Sequence, residues 1–213
     1  MRQGAVLAGV VAAFGVLAPC AAAATVETGD FSGELEINAP DGEANDLSLA
    51  TSKNDLATVD VTEGGGAPLV AGEGCTETKM GVRCEVEGLR IVFVQLGDEN
   101  DRLDGSELQG DVQITAGLGE GNDEMLGPPS VACVDAGEGD DEVTLIAPSE
   151  ACSIDGEEGD DTLRSSGGRN YLYGGSGSDR LSGAGGVDNI DAGEGADEIA
   201  ARGGDDFIDD GDG

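Results

Sequence analysis

The 213-residue chain carries 45 acidic against 10 basic residues and no histidine, a formal net charge of −35, so its surface repels nucleic acid, whose phosphates need a basic partner. Four Phe, two Tyr and no Trp exclude a thick core built on aromatic area. The 38 glycines are about two and a half times the usual share of roughly 7%, and with such a charge the composition alone describes a disordered polyanion; the spacing of the residues decides against it.

The first residues have the layout of a secretion signal. Arg2 supplies the positive start, residues 5–18 are apolar apart from small glycines, Pro19 breaks the run, and Ala22-Ala23-Ala24 offers a small-residue cleavage site before Thr25. The segment is alanine-rich and proline-broken, whereas a membrane span takes about 20 strongly apolar residues. No later segment is apolar enough to cross a bilayer, so the expectation is a secreted, extracellular chain with residues 1–24 as signal peptide and no membrane span in its mature form. Cleavage leaves Cys75, Cys84, Cys133 and Cys152, an even count that reads as two disulfides in an exported chain. Zinc is a poor rival, because there is neither His nor Cys-x-x-Cys.

Residues 25–96 alternate apolar and polar positions in Leu35-Glu36-Ile37, in Ala57-Thr58-Val59-Asp60-Val61 and in Leu89-Arg90-Ile91-Val92-Phe93-Val94, which predicts strands. Gly64-Gly65-Gly66 and Ala39-Pro40-Asp41-Gly42 predict turns. This part is expected to form a β-rich cap over the open end of a stack, since an uncovered sheet edge invites aggregation. Asp41-Gly42-Glu43-Ala44-Asn45-Asp46 faintly echoes the repeat that follows, and Cys75 and Cys84 are expected to staple a short loop.

From residue 97 a repeat emerges, loose at first and strict from 156. Gly159, Gly168, Gly177, Gly186, Gly195, Gly204 and Gly213 keep a period of nine; two residues after the first six sit Asp161, Asn170, Asp179, Asp188, Asp197 and Asp206, and two further on Leu163, Leu172, Leu181, Ile190, Ile199 and Ile208. A six-residue glycine-rich turn lets the backbone reverse and points carbonyl oxygens inward. The three residues that follow suffice for a short strand whose middle, aliphatic residue alone faces inward. Two units make one coil, and coils stack as parallel strands about 4.8 Å apart. Stacking then places Asp161, Asp179 and Asp197 along one edge and Asn170, Asp188 and Asp206 along the other. Carboxylates held that close repel unless a cation lies between them, and oxygen-only ligands favour Ca²⁺ over softer metals.

Upstream, Asp101, Asp123 and Asp141 continue the first edge with steps of 22, 18 and 20 residues to Asp161, while segments such as 126–132 and 145–153 lack the Gly-x-Asp core. The upstream coils are therefore expected to carry weaker, one-sided calcium sites. Cys133 and Cys152 are 19 residues apart, about one coil, which predicts a disulfide between adjacent coils at the usual Cα separation of about 5.5–6 Å.

Gly174-Gly175-Ser176-Gly177-Ser178-Asp179-Arg180-Leu181-Ser182 matches G-G-x-G-x-D-x-U-x and resembles the calcium-binding nonapeptide of RTX (hemolysin-type) proteins; the whole pattern looks like exported actinobacterial-type repeat proteins. Neighbouring units depart from it: Ala184 and Arg202 replace the second glycine, Ala192 and Ala201 the first, and Asn170 the aspartate. The resemblance implies an all-β fold, a right-handed parallel β-roll/β-helix over residues 97–213, with Ca²⁺ held between successive loops by the sixth-position aspartates and loop carbonyls.

Without histidine there is no His-Glu-x-x-His site and no Ser-His-Asp triad, and no G-x-S-x-G elbow, Walker loop or EF-hand pattern is present. The reading is a non-enzymatic, secreted calcium ion-binding protein that folds on binding Ca²⁺, with a structural or adhesive role. The alternative is a repeat appendage of a secreted hydrolase or toxin whose catalytic domain is absent from this chain.

Overall fold

The computed structural model describes residues 23–29, 32–52, 55–128, 132–146 and 152–213; the expected signal segment, up to Ala22, lies outside them. The described residues contain no helix. In chain order the strands are β1 (Ala24–Thr28), β2 (Glu34–Asn38), β3 (Asp46–Ser52), β4 (Asp55–Glu63), β5 (Leu69–Ala71), β6 (Cys75–Glu77) and β7 (Gly81–Glu85). They continue with β8 (Ile91–Gln95), β9 (Arg102–Glu107), β10 (Gln113–Glu120), β11 (Glu124–Gly127), β12 (Ala132–Glu138), β13 (Glu142–Leu145) and β14 (Cys152–Asp155). The last are β15 (Thr162–Ser165), β16 (Asn170–Ser176), β17 (Arg180–Ser182), β18 (Asn189–Glu194), β19 (Glu198–Ala200) and β20 (Phe207–Asp209).

These strands form two sheets that face each other as a β-solenoid. Sheet A runs β20-β18-β16-β14-β12-β10-β8-β2-β1-β5, and sheet B runs β19-β17-β15-β13-β11-β9-β3-β4-β7-β6. From β2 and β3 onward each coil contributes one strand to each sheet in parallel register. The inward row of sheet A passes through Ile37, Val94, Ala116, Val134, Ile154, Leu172, Ile190 and Ile208. That of sheet B passes through Leu47, Leu103, Met125, Val143, Leu163, Leu181 and Ile199. The middle residue of each strict unit is thus the inward one, as the strand periodicity requires. Leu163, Leu172, Leu181 and Ile190 are buried, Ile199 is half-buried, and Ile208, in the last strand, is 53% exposed. The upstream coils bury more: β10 and the residues beside it place Val112, Ile114, Ala116 and Leu118 inside, facing Met125.

The coil stack begins well before residue 97. β2 pairs with β8 and β3 with β9 in parallel, so the faint echo at residues 41–46 is the turn of a first coil. Strands β4 to β7 are an insertion between that coil and the next. Of these, β4, β7 and β6 extend sheet B antiparallel from β3, while β5 joins sheet A in parallel with β1; Val59, Val61 and Val82 are buried with Leu47 and Leu49. Cys75 and Cys84 face each other across β6 and β7 and form the expected disulfide, with Cα atoms 4.1 Å apart.

The second expected disulfide is not formed. Cys133 is a free, exposed thiol. β12 pairs with β14 so that Cys133 lies opposite Ser153, which leaves Cys152 one residue out of register. This coil is 20 residues long, and the 19-residue spacing misses it by one.

Candidate metal centre

Along the first edge, where sheet A passes to sheet B, the sixth-position residues form one continuous ladder. The backbone N–H of Asn45 donates to Asp101 Oδ1 at 2.6 Å, that of Asp101 to Asp123 at 2.7 Å, and that of Asp123 to Asp141 at 2.7 Å. Asp141 donates to Asp161 at 2.9 Å, Asp161 to Asp179 at 2.8 Å and Asp179 to Asp197 at 2.9 Å. All the expected residues of this edge are therefore brought into one column, and all but half-buried Asp197 are buried. Each carboxylate has one oxygen satisfied by the coil before it. The other has no partner: Oδ2 of Asp101, Asp123, Asp141, Asp161, Asp179 and Asp197 is buried without a hydrogen bond.

A buried ionised carboxylate with an unpaired oxygen is costly, and either a proton or a cation relieves it. Burial is the first cause that raises Asp101 to about 6 and Asp141 and Asp161 to about 7, with neighbouring carboxylates adding to it and the ladder N–H donors opposing it. Burial moves Asp123 and Asp179 in the same direction.

The turns that carry this column need glycine for two reasons. Gly177 has φ +139°, and a Cβ there would collide with the Gly159 carbonyl of the coil before; Gly139 and Gly159 repeat the arrangement. Where the motif's glycine is replaced, Glu99, Glu157 and Arg202 still hold φ between 66° and 74°, a left-handed conformation that costs a side chain roughly 1–2 kcal/mol.

The first position of each turn separates two kinds of loop. A Cβ on Gly156 would collide with Asp161 Oδ2 and the Gly174 carbonyl oxygen, and one on Gly174 with Asp179 Oδ2 and the Ala192 carbonyl oxygen. Carboxylate and next-coil carbonyl thus converge on space that glycine keeps clear. Upstream the same position holds Leu96, Leu118 and Ala136, all fully buried. Among the described residues no three acidic or thiol side chains converge as a ready metal cluster; a cation here draws its ligands from single carboxylates and backbone carbonyls. That donor set, hard oxygen of mixed charge, fits Ca²⁺.

The family model described as RTX calcium-binding nonapeptide repeat (4 copies) matches residues 155–190 and 182–213. Residues 155–213 are RTX calcium-binding repeats. No curated protein and no solved structure matches the chain.

The RTX segment also supplies the second edge, where sheet B returns to sheet A, and there the chemistry differs. Asn170, Asp188 and Asp206 stack as expected: the Asn170 N–H donates to Asp188 Oδ1 and the Asp188 N–H to Asp206 Oδ1, each at 3.0 Å. Asp188 has no unpaired oxygen, because the Asn170 side-chain amide donates to Oδ1 at 2.6 Å and the Ala184 N–H to Oδ2 at 2.9 Å. Ser165 Oγ–H in turn donates to Asn170 Oδ1 at 2.6 Å. The neutral amide that breaks the RTX motif is thus a donor to the carboxylate beneath it.

Two groups of site residues escape the repeat pattern. Asn45 heads the first ladder as Asn170 heads the second, with Nδ2 donating to Asp101 Oδ1 at 3.0 Å; its signal was the echo at residues 41–46, hidden by a 56-residue step to Asp101. The fifth turn position, arbitrary in the motif, carries a second ladder running the other way. Asn100, Asn122, Asp140 and Asp160 accept through Oδ1 from the N–H of Asn122, Asp140, Asp160 and Ser178 at 2.7–3.2 Å. The Asn or Asp that recurs before Asp101, Asp123, Asp141 and Asp161 was the available clue.

Proposed function

We propose that this chain is a secreted calcium-binding protein whose RTX segment completes its fold when it takes up Ca²⁺ outside the cell, serving as a structural or adhesive module without catalytic activity. The observation that carries the reading is the column of buried, unpaired Oδ2 oxygens, which at Asp161 and Asp179 faces a backbone carbonyl across space left by glycine. Asp161, Asp179 and Asp197, with the carbonyls of Gly174 and Ala192, are the groups that would hold calcium on the first edge. Asp188 and Asp206 would contribute on the second, with Asn170 as a neutral member. Asp101, Asp123 and Asp141 are weaker candidates, because Leu96, Leu118 and Ala136 occupy the corresponding inner space. Proteins with RTX repeats are typically secreted, which fits the apolar segment before Thr25. Affinity in the range of about 10⁻⁴–10⁻³ M, that of extracellular modules, would keep the segment unfolded and exportable in a low-calcium cytoplasm.

Titration of the mature chain with CaCl₂ and, separately, MgCl₂ by far-ultraviolet circular dichroism tests this. A cooperative gain of β signal with calcium and little with magnesium is expected, since magnesium demands a tighter octahedron and keeps its waters. Equal, non-cooperative responses to both ions would mean that the chain attracts cations only as a polyanion.

A further inference from the structure

The two outer faces of the solenoid are chemically unlike. Every ion pair among the described residues lies on sheet B, where Arg83, Arg102, Arg164 and Arg180 reach carboxylates on their own or neighbouring strands. No strand of sheet A contains Lys or Arg. Yet the aromatic side chains of the described residues, Phe93, Tyr171, Tyr173 and Phe207, all stand on the outer positions of sheet A, none of them in the core.

The register arranges them around carboxylates. One row runs Asp155, Tyr173, Asp191, Asp209 across β14, β16, β18 and β20; the row beside it runs Ser153, Tyr171, Asn189, Phe207. Neighbours in a row are about 4.8 Å apart, so the Tyr173 ring has a carboxylate on each side, without any cation from its own sheet. Tyr171 and Phe207 flank the smaller Asn189, and Val187 and Arg169 close one end of the resulting crevice of about 190 Å³. That is below the roughly 300–1,000 Å³ of a drug-sized pocket and suits one side-chain end at a time. Arg169 sits in the edge loop level with Val187, at the end away from Asp191.

We propose that the outer face of sheet A from β14 to β20 is a docking surface for a basic polypeptide segment, whose Lys or Arg side chains lie over Tyr171, Tyr173 and Phe207 and pair with Asp155, Asp191 and Asp209. Aromatic faces attract cations through their quadrupole, and flanking carboxylates strengthen that attraction. A second copy of this chain offers no such segment from sheet B, since the four arginines there are already engaged with their own carboxylates. The inference gives the adhesive reading a partner. It rests on that reading for the folded RTX segment, but not on the calcium loops themselves, which lie at the edges.

A fluorescently labelled lysine-rich decapeptide, titrated by anisotropy into the calcium-saturated full chain, tests it, with circular dichroism showing that each variant is folded. Tyr173→Leu, which changes no charge, is expected to weaken binding about two- to fivefold, the equivalent of one exposed cation–π contact of about 0.5–1 kcal/mol. Asp191→Asn should weaken it at least as much, whereas Glu198→Gln on sheet B should leave it within experimental error. Equal losses for Asp191→Asn and Glu198→Gln with no loss for Tyr173→Leu would overturn the proposal in favour of diffuse attraction to a polyanion. Binding of a neutral oligosaccharide that depends on Tyr171 and Phe207, with no specific peptide binding, would overturn it in favour of a sugar surface. Because folding is read separately, a failed peptide titration on a folded chain counts against this surface and not against calcium binding.

Discussion

In the coils before residue 155 the first turn position on the ladder edge holds Leu96, Leu118 and Ala136; in the RTX coils that follow it holds Gly156 and Gly174 before Ala192. The same column of aspartates runs past both, with the same backbone donors and the same unpaired Oδ2 oxygens. Upstream, an inward side chain adds apolar burial, at about 25 cal/mol per Å² of area removed from water. In the RTX coils that burial is given up at Gly156 and Gly174, and carboxylate and carbonyl oxygens converge where a Cβ would stand. The upstream part is further secured by the Cys75–Cys84 staple, while the Asn–Asp ladder at the fifth position runs from Asn100 into the first RTX coils, where it ends at Ser178. The two regions share the aspartate column and differ in what stands at the first turn position, which on the proposed reading is where their response to calcium would diverge.

Gly174→Ala should break the contrast most severely. Its Cβ would strike both Asp179 Oδ2 and the Ala192 carbonyl, so the calcium midpoint should rise at least about tenfold, equivalent to about 1.4 kcal/mol. Calcium titrations by circular dichroism read it directly, and an unchanged midpoint would remove the role assigned to the first-position glycine. Asp179→Ala should follow, since it deletes an unpaired oxygen between Asp161 and Asp197. Asp188→Ala should move the midpoint less but lower thermal stability with or without calcium, because it strands the Asn170 and Ala184 donors at about 1–3 kcal/mol. Asp206→Ala should act least. Three equal effects within about 0.5 kcal/mol, as for ordinary surface changes, would mean that the ions do not sit among the stacked loops.

Acidification acts in the opposite sense. In the upstream coils Asp101 and Asp141 are held at about 6 and about 7 in the fold, above the unfolded carboxylate value of about 3.9. The folded chain then binds more protons than the unfolded one between about pH 4 and 7, and its stability falls as pH rises through that window. In chelator the melting temperature should therefore be higher at pH 5 than at pH 8, and calcium should narrow the difference. A melting temperature that rises with pH in chelator would contradict the burial of these carboxylates. The β4 to β7 insertion should respond independently of calcium: reducing Cys75–Cys84 should lower its stability by about 2–3 kcal/mol in chain-entropy terms for so short a loop, while the calcium midpoint of the RTX segment stays put.

Much of this was legible in the sequence where the information is local. A period of nine with glycine, aspartate and aliphatic residues in fixed places specifies a turn and a strand without reference to the rest of the chain, and it placed Asp161, Asp179, Asp197, Asn170, Asp188 and Asp206 on their edges. Register between distant segments was not legible. The insertion of β4 to β7 concealed Asn45 as the head of the ladder, and a coil longer by one residue than the Cys133–Cys152 spacing separated two cysteines that looked aligned. The upstream aspartates read as weaker, one-sided sites because their turns keep the sixth position but lose the opposite Gly-x-Asp units; that Leu96 and Leu118 occupy the first position became informative only once the fold showed them buried in the same interior. The division of aromatics and ion pairs between the two faces required knowing which strands share a sheet.

Hydrogen exchange of the full mature chain, compared peptide by peptide with and without calcium, separates the two regions. Backbone amides in β15 to β20 should be protected with calcium and exchange rapidly in chelator, while those in β2, β3 and β8 to β11 keep their protection in both. Equal protection of the two regions in chelator, or equal loss, would contradict the account.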